Sequence, residues 1–431
     1  MSAESALTTG LAKAARRLVP FMSLLFLISF IDRSNVSFAA LAMNKDLGFT
    51  PTVYAWGVGF FFFGYVLFEV PSNMILEKIG ARRWIAPIVI AWGIASVALA
   101  WANDAKAFFT VRFLLGMAEA GLLPGLLLYM TWWFPANRRA RTTALLMLAI
   151  PLSIVIGGPL SGIILGIPGL DGALGFKSWQ WLFILEGLPA VVVGLMVYRV
   201  MVDRPADAHW LSADEKAAIE AELDREGRSG GSHVHGTTIL AGLVSPPVLL
   251  MSLAYFGSLL GGFGIIFWVP QIVKAFGLSN LQTGFVAAIP YAAAAIAMIV
   301  LGRIGDRTGK RVMLVVLPAI AGAVGLIGAG LSTDPLVSIV ALSLAASGVY
   351  GLLPSFWTLP PTYLKGSAVA AAFATVNSIG ALGGFVGPYI VGWVKETTGS
   401  FSWGLILLGF GALANAALVL ILSKLHPRDH A

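Results

Sequence analysis

The chain has no cysteine. That removes disulfides, thiolate nucleophiles and cysteine-ligated metals from the available chemistry. It says nothing about compartment. Charge is scarce too: Asp, Glu, Lys and Arg make up 11% of the 431 residues, against about 25% in an average soluble domain. None of the five histidines falls inside a long apolar stretch, so carboxylates are the only credible buried proton carriers. No loop is long enough to bury a core of its own or to hold a catalytic centre. These absences argue against an enzyme and against a sensor with an output domain.

What is present is mostly apolar, 58% of the chain. A bilayer span needs about 20 apolar residues. Twelve stretches of that length recur, near 18–42, 53–76, 84–102, 106–130, 142–166, 179–201, 247–271, 283–303, 312–331, 336–358, 368–392 and 402–424. They are too long for barrel strands, which need about ten alternating residues. The fold class expected is all-α integral membrane, with twelve transmembrane helices. The N-terminus imitates a signal peptide, with Lys13, Arg16 and Arg17 before an apolar run and Ala40-Leu41-Ala42 after it. The run is span-length and interrupted by Asp32-Arg33, so it reads as the first span.

Lys and Arg are unevenly shared between alternate loops. Twenty-one fall on one side, five on the other, and Arg33 and Arg112 lie inside spans. The side rich in Lys and Arg is expected to be cytoplasmic, with both termini there and the protein in a plasma membrane, the inner membrane of a bacterium. This bias accounts for most of the net charge of +7, and nucleic acid need not be invoked.

The one long polar stretch divides the chain. Residues 1–201 form an N-terminal six-span unit, 202–246 a linker, and 247–431 a C-terminal six-span unit. Within the linker, Ser212 and Glu215 form a capping box and Gly227 is a plausible stop, which predicts a short helix. The following "GRSGGSHVHG" reads as a flexible tether, and its two histidines are too few for a metal site. The two units repeat one another. Glu77, Lys78, Gly80 and Arg82 match Asp306, Arg307, Gly309 and Arg311, and Gly158-Pro159 matches Gly387-Pro388, always 229 residues apart. Paired repeats of this kind mark secondary transporters, with the site between the halves near the bilayer midplane.

The acid-x-x-Gly-x-Arg-Arg loop after span 2 resembles the commonest motif of the major facilitator superfamily, with Glu77 where aspartate is usual. Longer strings resemble its anion:cation symporter family: "IDRSNVSFA", "GYVLFEVPSNMILEKIGARRW", "RFLLGMAEAGLLPG", "WWFPANRRAR", "WQWLFILEGLPA" and "FWVPQIV". The resemblance covers essentially the whole chain. It implies two pseudo-symmetric six-helix bundles and transport of an organic anion with protons. It also implies that Arg33 holds a substrate carboxylate and that Asp32 and Glu119 are protonated in turn. Tyr65, Tyr255, Trp357 and Asn377 would line the cavity; each aromatic taken alone is more often core or interface packing.

The residues themselves point the same way. A charge at the bilayer centre costs about 2.5–3.5 kcal/mol, yet the N-terminal half keeps Asp32, Arg33, Glu69, Arg112, Glu119 and Glu186 in its spans. The C-terminal half keeps none in the interior of its spans; Gly261 and Gly348 stand where Asp32 and Glu119 would repeat. Arg112 lies two turns before Glu119, about 10 Å away on one face. Asp32 and Arg33 are adjacent, and the expectation is that they pair until an anion takes Arg33 and leaves Asp32 to bind a proton. Structural ion pairing between spans 1 and 4 is the competing reading. Glu69 and Glu186 lie nearer span ends and read as structural.

Glu77, Arg82 and Arg83 with Asp306, Arg307 and Arg311 are expected to latch the cytoplasmic side when the site opens outward. Pro124 and Pro354 are expected to bend spans 4 and 10. Gly121/Gly125, Gly257/Gly261 and Gly380/Gly384 offer close-packing faces. The function expected is a proton-coupled symporter for a small organic anion, tartrate-like before aromatic or sugar acids, acting as a monomer in the bilayer without a cofactor other than the proton. The alternative is an efflux antiporter, since "IGGPLSG" at 156–162 shares a Gly-Pro core with the antiporter motif of span 5.

Overall fold

The structure is a computed structural model that describes residues 3–229, 245–363 and 367–425. The linker segment 230–244 with its histidines, Lys365 and Arg428 lie outside the described residues, and the side chain of Arg141 is likewise not described. Eleven helical stretches are long and apolar enough to cross a membrane: Glu4–Leu47, Pro51–Ile79, Ala81–Trp101, Ala105–Thr131, Leu145–Gly166, Ser178–Val200, Pro246–Lys274, Asn280–Thr308, Met313–Leu331, Pro335–Phe356 and Ser402–Leu425. The twelfth crossing, span 11 in chain order, is broken at Leu382 into Ser367–Ala381 and Gly383–Thr398. Leu382 keeps helical angles, φ −62° and ψ −26°, so the two pieces continue one another. The glycines around it are poor helix formers.

Two other breaks have a sharper cause. Span 4 is interrupted between Glu119 and Leu122. Pro124 lacks the N–H that would bond the Ala120 carbonyl, and its ring crowds that turn. Span 10 breaks at Leu352, two residues before Pro354. Glu119 is thus the last residue of its helical segment.

The repeat is visible in local structure. Spans 2 and 8 are both 29 residues long and begin at a capping hydroxyl. Thr50 accepts from the Val53 N–H and Ser279 from the Gln282 N–H. Both end at a glycine with positive φ, 93° at Gly80 and 64° at Gly309, a backbone that side chains disfavour. Packing repeats as well. Spans 1–5, 2–4 and 3–6 pack together in the first half, and spans 7–11, 8–10 and 9–12 in the second.

The halves meet where span 2 packs on span 11, span 5 on span 8, and span 1 on span 7. The 5–8 contact is backbone against backbone: a Cβ on Gly284 would lie 2.4 Å from the Gly158 carbonyl oxygen. Span 2 packs along Gly383–Thr398 and scarcely along Ser367–Ala381. Glu396 accepts the Thr52 N–H at 2.9 Å. These contacts lie toward the face opposite the basic loops, so the halves are joined on that face. Leu67, Ile94, Leu195 and Phe410 are more than half exposed, as suits side chains turned toward lipid.

The linker helix, Ala213–Ser229, lies against the part of helix Ala3–Leu47 that projects beyond span 1. Lys13 pairs with Glu215 at 2.7 Å, and Arg139 with Glu226 at 2.5 Å. Glu215 also accepts the Ser212 N–H, closing the capping box. Lys13 and that N–H hold its carboxyl below the usual carboxylate range.

Candidate substrate and coupling site

Arg33 lies in span 1 and is paired with Glu119 of span 4. Aromatic rings surround its guanidinium. Their centroids lie 4.5 Å away for Phe30, 4.9 Å for Phe61, 5.4 Å for Tyr65 and 5.8 Å for Phe263. Each ring face attracts the cation, more strongly where water is excluded. Phe263 comes from the C-terminal half, so both bundles enclose Arg33. Phe61 also lies 4.9 Å from the guanidinium of Arg112, which places one ring beside two cations.

Glycines make this assembly possible. A Cβ on Gly116 would lie 1.9 Å from the Phe61 carbonyl oxygen, and one on Gly64 would lie 2.2 Å from that of Phe113. Spans 2 and 4 therefore approach too closely for any side chain there. That approach brings Phe61 and Tyr65 against Arg112 and Glu119.

The charges do not balance. Arg112 is fully buried and donates Nε–H to the Gly57 carbonyl at 3.3 Å. Among the described residues, both its terminal nitrogens lack a partner, as do Arg33 Nε and one Glu119 oxygen. Two guanidiniums face one carboxylate. Buried cationic donors without partners are costly, and an incoming anion would satisfy them.

The expected pairing of Asp32 with Arg33 does not form. Consecutive residues on a helix point about 100° apart. With Arg33 turned to span 4, Asp32 turns to span 3. There Trp92 Nε1–H donates to it at 2.8 Å and Ser96 Oγ–H at 2.9 Å, with the Asn35 amide at 3.5 Å. Asp32 is fully buried and its partners are neutral. Trp92, Ser96 and Asn35 were not legible as site residues. The available signal was their spacing: Trp92 and Ser96 are one turn apart, and Asn35 is three residues from Asp32.

The cavity-lining candidates fall into two groups. Tyr65 is in the Arg33 cluster. Tyr255 and Trp357 form an aromatic group with Phe356 and Phe373, with ring centroids 4.9–5.4 Å apart. Glu69 ties the two halves together through Asn377. It sits one turn after Tyr65 and accepts from Asn377 at 2.6 Å and from Ser378 at 3.4 Å across the two halves. Glu186 accepts from Ser161 at 2.7 Å. Asn415, a second buried amide in the C-terminal half, donates to the Ala254 carbonyl at 2.6 Å and acts as a structural tie. In span 2, Phe61 and Phe62 are buried while Phe63 is exposed.

Among the described residues, no ion pair joins Glu77, Arg82 or Arg83 to Asp306, Arg307 or Arg311. The Arg82 N–H instead bonds Asp203 at 2.8 Å, and Arg311 reaches the Thr358 carbonyl at 3.4 Å. An unmade latch fits halves that are joined on the opposite face.

Two repeated six-helix bundles around a buried charge site define a membrane transporter. The sequence pattern of the Major Facilitator Superfamily matches residues 22–388, and the chain belongs to that superfamily. It is 46% identical over 422 residues, 98% of this chain and 96% of the other, to an Agrobacterium vitis protein named "Putative tartrate transporter". It is 37% identical over 406 residues, 94% of this chain and 93% of the other, to an Acinetobacter baumannii protein named "Quinolone resistance transporter". Its fold matches a crystal structure of a bacterial homologue of the human lysosomal transporter Spinster, inward-facing and occupied, with TM-score 0.75, 16% identity and coverage of 94% of this chain and 96% of that one. The chain is a multi-pass membrane transporter, not an enzyme.

Proposed function

We propose that the protein is a proton-coupled symporter for a small organic anion, with its basic face cytoplasmic. The observation that carries this reading is the buried Arg33–Glu119 pair beside the unpartnered guanidinium of Arg112. A substrate carboxylate competes with Glu119 for Arg33. Once it wins, Glu119 is left as a buried carboxylate without its counter-charge, a costly state that a proton relieves. Anion and proton thus enter together. Loss of either restores the Arg33–Glu119 pair and ejects the other. Asp32, held by neutral donors, is a second station for the proton.

The preferred substrate is a compact hydroxy-dicarboxylate. One carboxylate meets Arg33 and the other meets the free donors of Arg112. The tartrate in the name of the Agrobacterium vitis relative agrees with this choice. The Acinetobacter baumannii relative, named for drug resistance, supports the alternative of efflux by antiport. Proteoliposomes with an imposed pH gradient separate the two. Symport concentrates a labelled dicarboxylate on the side away from the acid compartment. Antiport drives it into the acid compartment. An enzyme or a receptor does neither.

A further inference from the structure

The basic face carries a cavity of about 330 Å³ lined by Lys13, Arg16, Arg17 and Trp210. It lies where helix Ala3–Leu47 projects beyond span 1, far from Arg33. Its walls are fixed. The linker helix is tied to the first helix by Lys13–Glu215 at 2.7 Å. Trp210 is stacked on Trp133 with centroids 5.4 Å apart and planes 14° apart. Trp133 in turn donates to the Val202 carbonyl at 3.1 Å. The Arg17 guanidinium lies 5.6 Å from the Trp210 ring centroid.

The cavity has donors to spare. Glu215 occupies Lys13, but among the described residues Arg16 and Arg17 have no acidic partner. Among the described residues, the Trp210 Nε1–H is buried and without an acceptor, behind the ring that lines the pocket. Two guanidiniums around one small space, walled by the Trp210 ring, suit a phosphate. Arginine forks match phosphate oxygens in pairs.

The surroundings identify the source of that phosphate. Lys13, Arg17, Pro20 and Leu24 are spaced as one helix face, and all four are exposed. The stripe passes without interruption from basic side chains to the apolar surface of span 1. Arg17 is one residue before Leu18, where the apolar run begins, so it lies at headgroup depth. We infer that this cavity binds the phosphodiester headgroup of an anionic phospholipid, whose acyl chains run along Pro20 and Leu24.

The test uses the full-length protein in nanodiscs and in detergent. Native mass spectrometry and thermal unfolding are read with added phosphatidylglycerol, phosphatidylcholine or inorganic phosphate. Phosphatidylglycerol is expected to bind and to raise the melting temperature, and the other two are expected to do neither. The double variant Arg16→Gln/Arg17→Gln changes exposed residues only. It is expected to melt like wild type without lipid and to bind phosphatidylglycerol about thirty-fold more weakly, since each basic side chain at an anionic surface contributes roughly a factor of five to six. A control, Lys78→Gln/Arg303→Gln, removes two other exposed cations of the same face and is expected to keep wild-type lipid affinity. Equal loss in the control would reduce the site to a general surface charge effect. Unchanged lipid affinity in Arg16→Gln/Arg17→Gln, or stabilisation by inorganic phosphate equal to that by the lipid, would overturn the assignment.

Discussion

Glu119→Gln isolates the coupling step. The amide keeps the shape of the side chain and a hydrogen-bond acceptor for Arg33, but it cannot titrate. On the proposed mechanism, anion binding at Arg33 in the wild-type protein requires Glu119 to take a proton. If one proton enters per anion, affinity falls tenfold for each pH unit between the titration of Glu119 in the empty protein and that of the carboxyl freed by a bound anion, or about 1.4 kcal/mol per unit. The variant has no proton to wait for, so its affinity is expected to be flat over the same range and to equal or exceed the best wild-type value. Stability moves the other way. Glu119 is 1% exposed, and removing one member of a buried pair costs about 3–5 kcal/mol. The empty variant is therefore expected to melt lower, and a bound anion to raise its melting temperature by more than it does in wild type. Calorimetric titration of the purified protein from acid to alkaline pH measures the slope, with the ligand chosen by a thermal-shift screen of organic acids. Vesicle assays complete the test: counterflow is expected to survive while accumulation against a gradient disappears. A variant that keeps the tenfold-per-unit slope would show that the coupling proton does not reside on Glu119.

Four other substitutions test neighbouring parts of the argument. Arg33→Lys keeps the charge but loses the planar fork and the ring contacts, so affinity is expected to drop by about tenfold or more in the same titration. Asp32→Asn is expected to keep the pH slope of binding, because Arg33 pairs with Glu119, while weakening proton-driven accumulation; a lost slope would return the competing acid to Asp32. Glu396 lies on the face opposite the basic loops, where bonds from Thr52 and Thr50 hold its carboxyl below the usual range. Its contribution to the joined face is therefore present at neutral pH and is lost as pH falls through that lowered value. Glu396→Gln is expected to increase the distance between spin labels at Lys45→Cys and Thr397→Cys already at neutral pH, in a chain with no native cysteine to interfere. Gly116→Ala places a methyl against the Phe61 carbonyl and is expected to cost roughly 1–3 kcal/mol, read as a lower melting temperature.

The spans were legible because hydropathy over about 20 residues is a strong signal. The repeat was legible because Gly80 and Gly309 serve the same backbone need, and their spacing carries into the helix caps. Pro124 and Pro354 gave the breaks in spans 4 and 10, since a missing N–H acts locally. The break at Leu382 was not legible, because glycines mark many positions in these spans and only a few interrupt a helix. At the site, the charged residues stood out against an apolar background. Their pairing did not, because adjacency in sequence is not adjacency on a helix: Asp32 and Arg33 are neighbours in the chain and face different spans. The aromatic surround was hidden for a related reason. Phe30, Phe61 and Phe263 look like any other phenylalanine in a membrane span until the helix rotations are known.

The unequal halves bear on how such a site alternates. Where the first half has Arg33 and Glu119, the second has Gly262 and Gly348 at the repeat positions. A Cβ on Gly348 would lie 2.3 Å from the Gly322 nitrogen, and the Gly262 carbonyl accepts from the Tyr350 hydroxyl at 3.1 Å. The second bundle has filled the equivalent space with backbone packing, leaving rings and amides at its surface. On the proposed mechanism, the charges that bind anion and proton therefore travel together on one rigid body and never need to separate from each other when the bundles rock. What changes is the cover. Phe263 and the Tyr255–Trp357 group belong to the other bundle, and their withdrawal lets water reach Arg33. Water weakens the anion's hold, because the same charge pair interacts far less strongly in a high dielectric than in a dry site. Release then follows from moving apolar surface, with no rearrangement among the charged side chains other than the return of Glu119 to Arg33.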